Sequence, residues 1–229
     1  MNTVGQRIRV RAIAFDLDGT LLDTIPDLSI AINTMLDRLG HPPLSKEIIR
    51  TMVGKGMANL VRRALAAARG TEPTEADERR ALPMYEDAYE RVLGRETTVF
   101  PGVREGLERL ASAGFGIACV TNKASRFTRP HLGKAGLADY FSLVIGGDSL
   151  SAGKPDPTPL RAAARHFGVA TDRLLMLGDS VNDTQAARAA GCPVLCVPYG
   201  YNEGRPVQSL DCDGIVSSLE ELPERIRLA

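Results

Sequence analysis

Histidine and cysteine are scarce in this 229-residue chain, and neither sign of charge predominates. The three histidines, His41, His131 and His166, are scattered, which leaves no histidine-based metal set or catalytic triad. The cysteines are Cys119, Cys192, Cys196 and Cys212. Cys192 and Cys196 lie close together, but no second Cys or His pair completes a zinc set. Cys119 and Cys196 sit inside apolar runs, as small buried hydrophobes do, so four reduced thiols without a redox role are expected. Basic and acidic residues number 28 each, and nothing draws the whole chain to nucleic acid or an anionic membrane. No apolar run approaches the roughly 20 residues of a membrane-spanning helix. Met1 to Arg9 is polar and basic, with no signal-peptide core after it. A cytoplasmic protein is expected, of unstated oligomeric state, with one substantial core and room for a smaller inserted domain.

What is present is organised around Phe15-Asp16-Leu17-Asp18-Gly19-Thr20. An apolar run from Val10 to Phe15, broken only by Arg11, predicts a buried strand. Two carboxylates follow at alternate positions, and Gly19-Thr20 opens a tight turn. Thr24 or Asp23 can then cap a helix with Pro26 in its first turn. Ile25, Leu28, Ile32, Met35, Leu36 and Leu39 recur at helical spacing until Gly40. Ser45 can cap a short second helix carrying Ile48, Ile49 and Met52. Gly54-Lys55-Gly56 is a turn before a third helix with Leu60, Val61, Ala64 and Leu65 on one face. Thr74 to Val92 gives a fourth, with Leu82, Tyr85, Tyr89 and Val92 inward, and Pro83 is expected to kink or divide it.

No strand signal intervenes between Thr24 and Arg95, so residues 24–95 read as a helical domain inserted into a core of residues 1–23 and 96–229. In that core, helices from Val103 and from Asp183 alternate with strands at 115–120, 141–145, 174–177 and 193–197. This alternation predicts an α/β fold, a Rossmann-like parallel sheet with right-handed crossovers.

Ligands of such sheets bind outside the carboxyl ends of the strands, and there the polar residues gather. The first strand ends in Asp16 and Asp18, the second in Thr121-Asn122, and the fourth in Gly178-Asp179-Ser180-Val181-Asn182-Asp183. Lys154-Pro155 lies between the third and fourth. Taken singly, each has an ordinary use: D-x-D-G as a turn, Thr121-Asn122 as a cap, Lys154 as a solvated lysine. Asp179 and Asp183 alone could cap the alanine-rich helix. Together they form a hard oxygen set that suits magnesium better than zinc. A divalent ion and a lysine would offset the charge of a phosphate monoester, with Thr121 and Asn122 orienting its oxygens. Asp16 could then attack phosphorus, and Asp18 could serve as acid and base.

In these four segments the chain resembles the haloacid dehalogenase superfamily. The resemblance implies Asp16 as nucleophile, Asp18 as acid/base, and Thr121 and Lys154 as phosphate-binding residues. It implies magnesium held by Asp16, the Asp18 main-chain carbonyl and Asp179, with Asp183 in support. The inserted helices resemble the superfamily's mobile cap, which closes over the site and excludes water. Asp18 in the second position resembles the phosphatases and phosphomutases rather than the true dehalogenases.

Val53-Gly54-Lys55-Gly56, Phe100-Pro101-Gly102-Val103 and Pro198-Tyr199-Gly200-Tyr201-Asn202 are similar to segments of the bacterial phosphoglycolate phosphatase branch. That resemblance implies a small phosphorylated metabolite, 2-phosphoglycolate, as substrate. Lys55 and Arg63 are then the candidate contacts for its carboxylate. Another small-metabolite phosphatase, a β-phosphoglucomutase and a catalytically silent binding protein are the alternatives. All four of the residues a silent relative would lose, Asp16, Asp18, Lys154 and Asp179, are present.

Overall fold

The structure, a computed structural model, describes residues 7–229. The chain enters through β1 (Ile8–Val10), bends at the exposed Arg11, and continues as β2 (Ala12–Phe15). The expected single strand is therefore two, because Arg11 directs its side chain to solvent and its N–H to the Arg173 carbonyl. After β3 (Leu22–Asp23) come four consecutive helices, α1 (Ile25–Arg38), α2 (Lys46–Arg50), α3 (Gly56–Arg69) and α4 (Glu75–Val92). The chain returns through β4 (Thr98–Val99), which pairs antiparallel with β3, so the outgoing and incoming strands form one short ribbon. That ribbon left no mark in the hydrophobic pattern, since each strand has only two residues.

Beyond it run α5 (Val103–Ser112), β5 (Gly116–Val120), α6 (Ser125–Lys134) and β6 (Leu143–Ile145). Next are α7 (Thr158–His166), β7 (Leu174–Gly178), α8 (Val181–Ala190) and β8 (Val194–Cys196). The chain closes with β9 (Gly214–Ile215), α9 (Leu222–Arg225) and β10 (Ile226–Leu228). The main sheet has six parallel strands in the order β6-β5-β2-β7-β8-β9, and β10 pairs separately with β1.

The central strands are apolar throughout because both of their faces are covered. Ile13, Phe15, Cys119, Leu175 and Leu177 pack on one side with Val103, Leu107 and Leu110 of α5. Ala12, Ala14, Ala118, Val120 and Met176 alternate onto the other, against Leu160 and Ala163 of α7 and Ala186 and Ala187 of α8. Small residues on that second face let the helices approach closely.

The four helices have their own core, in which Leu28, Ile32, Leu36, Leu60, Leu65, Tyr85 and Tyr89 are buried. Phe127 of α6 and Tyr201 also enter it, which joins the helices to the sheet layer. Asp23 rather than Thr24 supplies the side-chain acceptor at the start of α1. Ser45 caps α2, but only Ile49 of its isoleucine pair is buried, and Ile48 is 44% exposed. Pro83 does not divide α4, which runs unbroken. Pro83 and Arg79 are exposed, so water can reach the carbonyl that proline leaves without a helical donor. Ala81, not Leu82, is the fully buried residue of that turn.

A polar clasp joins the two ends of the helical layer. Asp27, fully buried in α1, accepts from the Gly94 and Glu96 N–H groups (2.7 and 2.8 Å) and from Thr97 Oγ1 (2.6 Å). Because Thr97 donates its proton to Asp27, it accepts from His131 Nε2 at 3.0 Å, which fixes the neutral tautomer. Burial pushes the His131 pKa down to about 3. The unfolded chain would therefore bind a proton near the ordinary 6.5, while the native state would not bind it until about 3. Stability from this residue should be complete above pH 6.5 and fall as pH drops toward 3. The expected loss by pH 4.5 is about 2–3 kcal/mol. Urea unfolding of wild type and His131→Gln at pH 7.5 and 4.5 checks this. The variant should lose less, and parallel losses would refute it.

Candidate active site

The register of the parallel strands brings the polar residues to one edge. Phe15 stands level with Cys119 and Leu177, so Asp16, Thr121 and Asp179 all emerge within a few residues of that line. The Asp16 N–H donates to the Leu177 carbonyl and the Thr121 N–H to that of Ile145, extending the ladder to the site's floor. The helix that follows Gly178 starts with a capping box. Asp183 Oδ2 accepts from the Ser180 N–H (3.0 Å) and Ser180 Oγ (2.8 Å), which leaves Oδ1 for the site.

Asp16, Asp179 and Asp183 bring a carboxylate oxygen each within 4.8 Å of one another. Lys154 Nζ bridges Asp16 Oδ1 (2.8 Å) and Asp183 Oδ1 (2.6 Å) and is almost wholly buried. Asp179 takes hydrogen bonds from Thr20 Oγ1 (3.2 Å) and the Tyr201 N–H (2.6 Å). Two glycines make room for it. A Cβ on Gly19 would meet Asp179 Oδ2 at 2.6 Å, and one on Gly200 would meet Asp179 Cβ at 2.1 Å.

Three carboxylates face one ammonium, and burial together with that excess of negative charge shifts two of them, Asp16 and Asp179. Burial raises Asp16 to about 6 although Lys154 opposes it, with Asp183 and Asp18 adding to the rise. Burial and then the charges of Asp183 and Asp16 raise Asp179 to about 8. Burial would lower the Lys154 pKa, but Asp16 and Asp183 outweigh it and hold the ammonium firmly protonated. An all-oxygen set with surplus negative charge is suited to a hard cation. Cys119 and Cys196 offer no competing chemistry, since burial pushes both far above the ordinary range.

Asp16 also lines a small cavity of about 40 Å³, together with Asp18, Thr121, Asn122 and residues of α1, α3 and α4. At roughly 10–15 Å³ per enclosed water, that is room for about three waters. Lys123 lies on its wall and was not singled out from the sequence. Its Nζ pairs with Asp18 Oδ1 (3.1 Å) and Oδ2 (3.3 Å) and hydrogen-bonds the Tyr89 hydroxyl. The signal that could have found it is position: a lysine next to Thr121-Asn122, at a strand end already rich in polar groups.

Other expected site residues are placed differently. The Asn122 amide donates to the Gly54 carbonyl (3.0 Å) and the Lys154 carbonyl (2.8 Å), so it ties the insertion loop to the core. Lys55 and Arg63 do not line the small cavity. Both pair with Glu203, at 2.7 and 3.2 Å, and Lys55 faces a wider, open cavity bounded also by Lys154, Asn182 and Arg205. Glu203, in the 198–206 loop, is the carboxylate that both cations meet. Arg50 reinforces that contact by donating to the Tyr199 and Gly200 carbonyls (2.7 and 2.8 Å) and stacking on Tyr201.

The parallel sheet, the aspartates at its carboxyl edge and the buried lysine define a hydrolase class. The haloacid dehalogenase-like hydrolase family model matches residues 13–197, and the chain belongs to that family. It is similar to the phosphoglycolate phosphatase of Nitrosospira multiformis, with 53% identity over 95% of this chain and 96% of that protein. The phosphoglycolate phosphatase of Thiobacillus denitrificans is 50% identical, with 93% of each chain covered. Among solved structures, one described as a predicted phosphoglycolate phosphatase from Haemophilus somnus superposes with a TM-score of 0.90. It is 34% identical over 94% of this chain and 97% of that one.

Proposed function

We propose that this hydrolase is a magnesium-dependent phosphatase that cleaves 2-phosphoglycolate to glycolate and phosphate. The observation that carries the reading is the position of Asp16, shared between the cavity under the helical layer and the acidic cluster. A nucleophile there meets substrate on one side and charge-neutralising groups on the other. The names of the two curated relatives support this choice of substrate. The four free cysteines and the absence of a membrane-crossing helix among the described residues are compatible with a cytoplasmic enzyme.

Asp16 would attack phosphorus in line and form an aspartyl-phosphate while the glycolate oxygen leaves. Asp18 would give that oxygen its proton, then remove a proton from the water that attacks the phosphorus and frees Asp16. Thr121 and Lys154 would hold the phosphoryl oxygens, and Asn122 would keep the loop around them in place. Magnesium, held by Asp16 and Asp179 with Asp183 in support, would supply further electrostatic stabilisation of the phosphoryl charge. The helical layer, α1 to α4, would act as the cap that keeps bulk water from the phospho-aspartate.

Phosphate release from 2-phosphoglycolate, sugar phosphates, nucleotides and pyrophosphate, with magnesium and with EDTA, tests the reading. Phosphoglycolate should lead in kcat/KM by at least about ten-fold, roughly 1.4 kcal/mol of transition-state preference. EDTA should stop the reaction. A different leading phosphate would overturn the substrate, and full activity in EDTA would overturn the metal.

Gly200→Ala offers a further check, because its methyl would displace Asp179. The variant should need at least about ten-fold more magnesium for half-maximal rate, since metal affinity responds to displaced ligands on that scale. An unchanged magnesium requirement would remove Asp179 from the metal site.

A further inference from the structure

The cavity beside Asp16 contains an unused donor. Tyr85 is completely buried, lines that cavity, and its hydroxyl has no hydrogen-bond partner among the described residues. A buried hydroxyl with no protein partner is free to donate to whatever occupies the cavity, water or ligand. Its ring stacks on Tyr89 at 5.6 Å between centroids. The Tyr89 hydroxyl in turn meets Lys123, whose ammonium lies 4.7 Å from the Tyr89 ring.

Lys123 is therefore buried between a tyrosine of α4 and the Asp18 carboxylate. The cavity's remaining wall is largely apolar, with Leu28, Val53, Met57 and Leu60. Lys55 and Arg63, the other cations considered for recognition, are neutralised on Glu203 outside it.

We infer that Lys123 and Tyr85 are the specificity-determining pair of this site and bind the carboxylate of the substrate. The inference rests on the phosphoglycolate reading for the choice of anion. An ammonium has three protons, and Asp18 and Tyr89 approach it from only two sides. A carboxylate entering the cavity would take a charge-assisted hydrogen bond from Lys123 and the idle proton of Tyr85. A two-carbon phosphate with an uncharged tail would leave Lys123 on Asp18 and offer Tyr85 no acceptor. Discrimination arises because burial makes an unanswered donor costly.

The test compares 2-phosphoglycolate with ethyl phosphate, which has the same carbon number and no carboxylate, for wild type, Lys123→Met and Tyr85→Phe. Lys123→Met should reduce the phosphoglycolate-to-ethyl-phosphate ratio of kcat/KM by about 30-fold or more, mainly through KM, on the scale of a lost charged hydrogen bond. Tyr85→Phe should reduce the ratio about five-fold, as for a neutral one. Its melting temperature should stay within a few degrees of wild type, because the hydroxyl it removes has no partner among the described residues.

Equal losses for both substrates in Lys123→Met would overturn the inference and leave Lys123 as a positioning residue for Asp18. The phosphoglycolate assignment would survive that result. If wild type prefers another carboxylated phosphate and both variants lose that preference, the substrate changes but the pair stands. If wild type favours no anionic-tailed phosphate over ethyl phosphate, the pair is not a carboxylate receptor.

Discussion

Asp16→Asn is expected to lower kcat for phosphoglycolate by about 10⁴-fold or more while leaving the melting temperature within a few degrees of wild type. Losses of that order follow removal of a nucleophile whose partners act as a unit with it. Asparagine keeps the shape and can still accept from Lys154 Nζ, now 2.8 Å from Asp16 Oδ1. What it loses is the anionic oxygen able to bond phosphorus. Circular dichroism and urea unfolding would verify the fold. Appreciable residual turnover by a folded variant would remove Asp16 as nucleophile.

Lys154→Met should have the second largest effect, because it disturbs both fold and chemistry. The ammonium is buried between Asp16 and Asp183, with Asp179 in the same cluster. Removing one partner of a buried ionic group strands the others, at a cost of about 3–5 kcal/mol. For a chain of this length that corresponds to a fall in melting temperature of roughly 10 °C, measured in EDTA. Adding Asp183→Asn should recover much of the stability and none of the activity. A single variant that lost less than about 1 kcal/mol would contradict the role assigned to this ion-pair network.

The sheet was legible in the sequence because strands covered on both faces write themselves as short, continuous apolar runs between turns. Leu174 to Leu177 and Phe115 to Val120 are of that kind, and the structure moves their limits by a single residue. The helical stretch was legible through its spacing and through Ser45, which caps as expected, while the capping box at Thr74 is a finding of the structure. β3, β4 and β9 were not, since two residues have no period to detect, and β10 was not, since Arg227 breaks its apolar run.

The strand-end aspartates could be read because their positions follow from the strands. The partners that cross between layers could not. Lys55 was read as a recognition cation from its glycine-flanked turn, yet its nearest carboxylate, Glu203, lies far along the chain. Lys123 passed as one more charge after Asn122, because only the folded contact with Tyr89 of α4 shows it to be buried. The tyrosine-rich loop stood out in the sequence without a reason. The structure supplies one: it carries the Tyr201 N–H that fixes Asp179 and the carbonyls that bind Arg50.

The most direct measurement is a rapid acid quench of a single turnover with ³²P-labelled 2-phosphoglycolate, followed by mapping of chain-bound label. The expected result is a transient, hydroxylamine-sensitive acyl phosphate on the peptide that contains Asp16, absent from Asp16→Asn. Its decay should match the release of phosphate. Phosphate released in that turnover with no label passing through the chain, or label on a different residue, would contradict the nucleophile and the mechanism built on it.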